Sequence, residues 1–164
     1  MKVRTTILWV VALASLLLVN YSIFQKEQLI RTGEPLYVEL GPRDPRSLIQ
    51  GDYMALRYQL VERLAVDTLP ARGKLVIKRS NAGIASFVRL EDGTTPLAAD
   101  ERRLNYYKAG GDINVGAPSF FFEEGQAEAY STARYGELRA TPDGESVLVG
   151  LRGPKLEQLG KPAR

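Results

Sequence analysis

The sequence contains no cysteine and no histidine among its 164 residues. The absence of cysteine excludes a disulfide framework and thiol chemistry. The absence of histidine removes the commonest general base and the commonest transition-metal ligand, so a zinc site would need carboxylates alone. We therefore expect no cofactor and no bound metal, and the available chemistry weighs against an enzyme without excluding one.

A clustered excess of basic charge is also lacking, although the pI is about 9.2. The formal net charge is +3, from 22 Lys+Arg and 19 Asp+Glu. Lys2 and Arg4 precede the apolar N-terminal run, and without them 20 basic residues stand against 19 acidic ones, a net charge of +1. Because a nucleic-acid interface needs a basic face, we expect no nucleic-acid partner.

One long run without charge is present at residues 5–24. A helix of about 20 such residues crosses roughly 30 Å of hydrocarbon, and Tyr21 and Phe24 suit the far interface. The basic residues ahead of the run predict a single-pass protein of the cytoplasmic (inner) membrane, with its N-terminus inside and the remainder in the periplasm or outside. The alternative is a cleaved signal peptide. It is less favoured because the apolar run is long and no small-x-small pair follows Val19.

The predicted organisation has five parts, with boundaries at 1–4, 5–24, 25–34, 35–152 and 153–164. They are a cytoplasmic N-terminus, a transmembrane helix, a juxtamembrane linker, an extracytoplasmic domain and a C-terminal tail. The linker can continue the helix as far as Gly33. A hydrophobic content of 45% supports one globular domain with its own core. The tail has little to bury, so we expect it to fray.

Short segments of alternating polarity, bounded by turn residues, follow one another through the domain. They predict strands at 36–40, 53–61, 74–79, 84–90, 102–108, 113–115, 119–122, 137–141 and 146–151. Residues 123–135 change to a helical period and predict one short late helix, and the three phenylalanines ahead of it are expected in the core. The pattern predicts a mainly β, β-rich α+β fold, in which an antiparallel sheet closes toward a barrel or sandwich.

The segment 50–58 reads Gln-Gly-Asp-Tyr-Met-Ala-Leu-Arg-Tyr. A turn at Gly51-Asp52 leads into a strand in which Leu56 and Tyr58 share one face, opposite Tyr53. This segment resembles the signature of the GDYXXLXY family of uncharacterised, membrane-anchored bacterial proteins. Every fixed position of that signature is met, by Gly51, Asp52, Tyr53, Leu56 and Tyr58.

The resemblance covers most of residues 35–152. It continues through Asp44-Pro45-Arg46, Phe122-Glu123-Glu124-Gly125, Ala133-Arg134-Tyr135-Gly136-Glu137 and Val149-Gly150-Leu151-Arg152. It implies a small extracytoplasmic domain behind one membrane anchor, and it implies no established activity.

The signature residues are interpreted as structural first and as contact residues second. Gly51 would adopt a backbone conformation that side chains disfavour, and the Asp52 carboxylate would cap the turn. Leu56 and Tyr58 would enter the core, the Tyr58 hydroxyl finding a hydrogen-bond partner. The alternative for Asp52 is a contact to a ligand or a metal.

Three arginines near the signature, Arg43, Arg46 and Arg57, are candidates for binding an anion, a lipid headgroup or a partner. Pairing with Asp44, Asp52 or Glu62 is the favoured alternative.

Three functions stay open. The first is a non-enzymatic interaction module that acts with envelope or integral membrane proteins, its other partner being the bilayer. The second is a degenerate or unrecognised Ser/Lys hydrolase, because residues 45–52 resemble a segment of type I signal peptidases. Pro42 stands where those enzymes carry the nucleophile, and Lys74 or Lys78 would have to serve as base. The third is a domain that binds a small ligand or lipid. A serine hydroxyl within hydrogen-bond reach of a lysine amine would favour the hydrolase.

Overall fold

A computed structural model of the chain describes residues 2–41, 53–62 and 64–160. In this part, one long helix, α1 (Lys2–Thr32), precedes nine strands. The strands are β1 (Glu34–Glu39), β2 (Tyr53–Ala55), β3 (Arg72–Arg79), β4 (Ala85–Leu90), β5 (Glu101–Ala109), β6 (Asp112–Asn114), β7 (Ser119–Phe121), β8 (Tyr135–Ala140) and β9 (Ser146–Arg152). Three 3-10 turns lie at Gln59–Val61, Val66–Thr68 and Ala127–Tyr130.

Helix α1 is long and apolar enough to cross a membrane, and within the described structure its most apolar stretch is not buried against the domain. The helix runs without a break through the predicted linker and ends before Gly33, whose N–H donates to the Leu29 carbonyl at 2.9 Å. A Cβ atom added at Gly33 would lie 3.0 Å from Arg139 Cβ, so glycine lets the helix end close against β8. Leu29 is buried there, which holds the end of the helix against the domain.

The strands form three antiparallel sheets, ordered β1-β8-β9, β4-β3-β5-β6 and β2-β7. A parallel bridge between Tyr37 and Ile84 joins the first two sheets on one side, supported by the Tyr37 N–H donating to the Gly83 carbonyl at 2.9 Å. On the other side the Asn105 N–H donates to the Gly144 carbonyl at 2.8 Å. The sheets thus curl around one core as a half-barrel, and the predicted fold class is confirmed.

The core consists of apolar side chains that alternate inward along the curled sheets. Fully buried members come from several strands: Val38, Leu75, Ile77, Leu104, Leu138 and Leu151. Val76, on the opposite face of β3, is also fully buried, and the register places it between Arg89 and Arg103. The aliphatic stems of long arginines can cover an apolar neighbour. Their guanidinium groups pair with Glu101 at 3.4 Å and Glu91 at 2.9 Å.

Two predicted elements are shorter than expected. The signature strand ends at Ala55, and after an antiparallel bridge from Tyr58 to Leu40 the chain enters the 3-10 turn Gln59–Val61. The late helix is the single 3-10 turn Ala127–Tyr130, preceded by Gly125 at φ +80°. A left-handed backbone conformation just ahead of the turn is incompatible with a longer right-handed helix through that residue.

Two further predictions are wrong. Phe121 is 75% exposed rather than in the core, because alternate residues of β7 face opposite ways. Its neighbours Phe120 and Phe122 instead pack on the Tyr130 ring, with ring centroids 5.3 and 5.0 Å away. The tail does not fray over residues 153–160, since the Leu159 N–H donates to the Leu151 carbonyl at 3.2 Å and the Leu159 side chain packs against the core.

Candidate functional site

Two signature residues, Leu56 and Tyr58, lie in the core, with exposed fractions of 6% and 2%. The Tyr58 hydroxyl donates to the Ala117 carbonyl at 2.7 Å, as expected for a buried phenol. Burial, and to a lesser degree the nearby Tyr107, raises the pKa of Tyr58 well above its usual value. The phenol therefore stays protonated at neutral pH and acts as a structural donor.

The third described signature residue, Tyr53, lies at the surface. It is half-buried on β2, which pairs with β7 so that Tyr53 stands opposite Phe121. The two rings are tilted, with centroids 5.6 Å apart. We call these two residues the Tyr53–Phe121 patch.

Gly51 and Asp52, together with Arg43 and Arg46, lie outside the described residues. The roles predicted for them stay predictions. Arg57 is described, and its side chain is 76% exposed. Among the described residues its acidic neighbour is Asp112 rather than Glu62, with Arg57 Nε 3.9 Å from Asp112 Oδ2. Such a long, solvated pair leaves the guanidinium accessible to an anion or a partner.

Residues that carry the family resemblance come together on β8 and β9. The Glu137 side chain, 7% exposed, accepts hydrogen bonds from Arg152 Nε at 2.7 Å and from Arg139 Nη2 at 3.4 Å. A Cβ atom added at the adjacent Gly136 would lie 3.5 Å from the Tyr58 ring. This carboxylate is held by two guanidinium groups, and removing it would leave both of them without their buried partner. No role is predicted for Glu137 from the sequence, because a lone acidic residue within a strand gives no local signal of burial.

The test for a Ser/Lys hydrolase does not favour one in the part of the chain that is described. No serine hydroxyl there is hydrogen-bonded to a lysine amine. Ser86 and Ser146 donate to the backbone carbonyls of Lys78 and Val115. Lys78 pairs with Asp100 at 2.7 Å, which raises the pKa of the amine, the opposite of what a general base needs.

Among the described residues, no cluster of three acidic side chains lies close enough together to hold a metal ion. Asp92 is instead engaged in its own turn, where its carboxylate accepts hydrogen bonds from the N–H groups of Thr94 and Thr95, both at 2.9 Å. Hydrogen bonds from Thr95 are the main cause that holds the pKa of Asp92 far below its usual range.

A cleft of about 650 Å³, which we call the basic cleft, opens between the C-terminal part of α1 and residues of β3, β5 and β9. Its lining includes three cations, Lys26, Arg72 and Lys74, one carboxylate, Glu145, and two phenols, Tyr106 and Tyr107. The Tyr107 hydroxyl donates to the Gly116 carbonyl at 2.9 Å, and burial raises its pKa. This cleft is not predictable from spacing in the sequence, because its cations come from elements far apart in the chain.

Comparison with known proteins identifies one relationship. The family model described as GDYXXLXY protein matches residues 15–151, which is most of the chain. No curated protein matches the chain, and no solved structure matches it.

Proposed function

The chain belongs to the GDYXXLXY family, and from this premise we propose that it is a membrane-anchored, non-enzymatic interaction module. In this proposal α1 anchors a bacterial protein in the inner membrane and the β domain lies on the periplasmic or outer side. The domain docks against an integral membrane protein of the same bilayer.

The observation that carries the proposal is the Tyr53–Phe121 patch. Phe121 is the most exposed large apolar side chain of the β domain among the described residues. Its ring lies against that of Tyr53, a residue of the family signature. An exposed phenylalanine is more informative than an exposed smaller residue, because aromatic side chains dominate binding interfaces. The signature thus contributes both to the core, through Leu56 and Tyr58, and to a surface suited to docking.

The expected partner follows from the anchor. The uncharged span of α1, with Lys2 and Arg4 ahead of it, supports an N-terminus inside and a domain outside. Because Leu29 holds the helix end against the domain, the domain stays close to the bilayer surface. A protein embedded in the same bilayer is therefore presented to the patch at a high effective concentration.

Site-specific photo-cross-linking in intact membranes tests this proposal. A photoreactive phenylalanine analogue in place of Phe121 should produce a discrete adduct with one integral membrane protein, identified by mass spectrometry. The same analogue in place of Ala82, at the exposed turn between β3 and β4, serves as the matched control and should give no such adduct. Adducts of equal yield at both positions, or none at Phe121, would contradict the docking role of the patch.

The orientation is tested separately with a reporter fused after Arg164. Activity confined to the outside of the cytoplasmic membrane is the expected result. A reporter that is active in the cytoplasm would reverse the proposed topology without bearing on the patch.

A further inference from the structure

We propose that the basic cleft between α1 and strands β3, β5 and β9 binds the phosphate of an anionic phospholipid headgroup. The proposal rests on the membrane anchorage described above and not on the Tyr53–Phe121 patch. The structural basis is the meeting of Lys26, from the helix, with Arg72 and Lys74, from β3, around one open cleft of about 650 Å³.

The charge balance of the cleft favours an anion. Lys26 is partly neutralised by Glu145, whose Oε2 lies 3.9 Å from the Lys26 amine. Arg72 and Lys74 are exposed and have no acidic partner among the described residues. The lining therefore carries three positive charges against one negative charge. An arginine fork and a lysine ammonium are the usual ligands of a phosphate group.

The position of Lys26 favours a lipid as the source of that phosphate. The uncharged run ends at Phe24, and two further residues of helix add a rise of about 3 Å. This distance places Lys26 at the level of the headgroups when residues 5–24 fill the hydrocarbon. Because the helix end is held by Leu29, Arg72 and Lys74 are brought to the same cleft at a fixed height above the bilayer.

A second hollow supports an amphipathic ligand. It has a volume of about 490 Å³, shares Lys26 with the cleft and is also lined by Ser22, Ile23, Glu27 and Ile30. Its carboxylate, Glu27, is paired with Arg31 at 2.8 Å. Because Ile23 belongs to the uncharged run that fills the hydrocarbon, an acyl chain can pass Ile23 into the bilayer while the phosphate reaches the cations. A soluble phosphate would use the cleft alone.

The test uses the full-length chain in a nonionic detergent, titrated with phosphatidylglycerol and read out by native mass spectrometry. Phosphatidylcholine with the same acyl chains is the first comparison, because its choline ammonium opposes the cations of the cleft. We expect phosphatidylglycerol to bind about tenfold more tightly than phosphatidylcholine, the difference made by roughly one charge-assisted interaction. Equal affinity for the two lipids would overturn the proposal.

The decisive variant is Arg72→Gln combined with Lys74→Gln, which should weaken phosphatidylglycerol binding by about tenfold or more. The matched control removes the same charge outside the cleft, at Lys78 and Lys155, also by substitution with glutamine. This control should bind as the unaltered chain does. If both double variants lose affinity equally, the attraction is a general effect of net charge and the cleft is not the site.

Substitutions at Lys26 and Glu145 are expected to change the affinity for phosphatidylglycerol in opposite directions, and neither alters the core. Lys26→Gln should weaken phosphatidylglycerol binding, whereas Glu145→Gln should strengthen it about twofold or more because Lys26 loses its competing carboxylate. A purely structural role for this pair would give no gain in affinity with Glu145→Gln, and that result would count against the site.

Inorganic phosphate distinguishes the two sources of the ligand. Millimolar phosphate should displace little phosphatidylglycerol if the acyl chain contributes along α1. Complete displacement, with phosphate binding as tightly as the lipid, would identify a soluble phosphate as the occupant and overturn the lipid assignment. Loss of the cross-link at Phe121 without loss of lipid binding would leave this site standing, so the two proposals fail separately.

Discussion

Two tyrosines of the same signature lie only five positions apart, yet Tyr58 is buried and Tyr53 lies at the surface beside a 75% exposed Phe121. The difference follows from the alternation of an extended chain, in which residues an odd number apart face opposite sides. The motif therefore places Leu56 and Tyr58 in the core and Tyr53 at the surface. One short sequence can thus contribute to both the core and the surface of a fold.

The largest expected effect lies on the core side of this comparison. Leu56→Ala should lower the free energy of unfolding by about 2–5 kcal/mol, because the lost side chain leaves a cavity in the packed core. The measurement is urea unfolding of the full chain in detergent, followed by circular dichroism. Arg57→Ala is the neighbouring control on the opposite face and should be nearly silent. Equal losses for the two variants would show that the alternation does not govern stability here.

A second prediction concerns the ion pairs that Glu137 of β8 makes, which, like Tyr58, belong to the buried part of the molecule. Glu137→Gln should lower the free energy of unfolding by about 2 kcal/mol. This loss is smaller than the loss expected on breaking a fully buried ion pair, because Arg152 and Arg139 are partly exposed. The matched control, Glu39→Gln, removes the exposed pair with Arg134 at 2.8 Å and should cause no measurable loss. Urea unfolding of both variants in parallel decides the matter, and a smaller loss for Glu137→Gln than for Glu39→Gln would refute the structural role of the buried carboxylate.

The third prediction tests the buried tyrosine alone. Tyr58→Phe should cost about 1 kcal/mol, the usual net value of a hydrogen bond, because the Ala117 carbonyl loses its donor. The variant also carries a pH signature. The pKa of Tyr58 is raised on folding from its ordinary 10.0, so the folded state retains a proton that the unfolded state releases above about pH 10. Stability is therefore fully present below pH 10 and falls as the pH rises beyond it.

In the phenylalanine variant the Tyr58 contribution to this alkaline loss should disappear. Urea unfolding at a series of pH values from 8 to 11 measures it. Identical pH profiles for the unaltered chain and Tyr58→Phe would contradict the raised pKa.

The sequence predicted those parts of the fold that local patterns govern. Turn residues and alternation placed the hairpin of β3 with β4 and that of β8 with β9, and the face occupied by Leu56 and Tyr58. The family itself was identified from the signature and is confirmed by the match over residues 15–151. These features depend on neighbours in sequence, where period and turn chemistry act directly.

The features that the sequence did not predict depend on distant contacts. The pairing of β2 with β7 joins residues more than 60 positions apart, and only that pairing turns Phe121 outward beside Tyr53. The cations of the cleft come from α1 and β3, so no spacing in the sequence marks them as one site. Burial of Glu137 likewise depends on Arg152, which reaches it from the neighbouring strand.

The smallest expected effect on stability lies on the surface side of the comparison. Phe121→Ser should lower the free energy of unfolding by less than about 1 kcal/mol, because the ring is already exposed and loses only its tilted contact with Tyr53. Phe120→Ser is the matched control, since that neighbouring ring packs on Tyr130 and against the core, and it should cost clearly more. The same two variants, without the photoreactive analogue, are then compared in membranes for co-purification of the protein that the Phe121 adduct identifies. We expect Phe121→Ser to abolish the co-purification while its unfolding curve stays close to that of the unaltered chain. If Phe121→Ser unfolds as readily as Phe120→Ser, the exposed ring is a folding element, and the surface half of the signature has no separate role in docking.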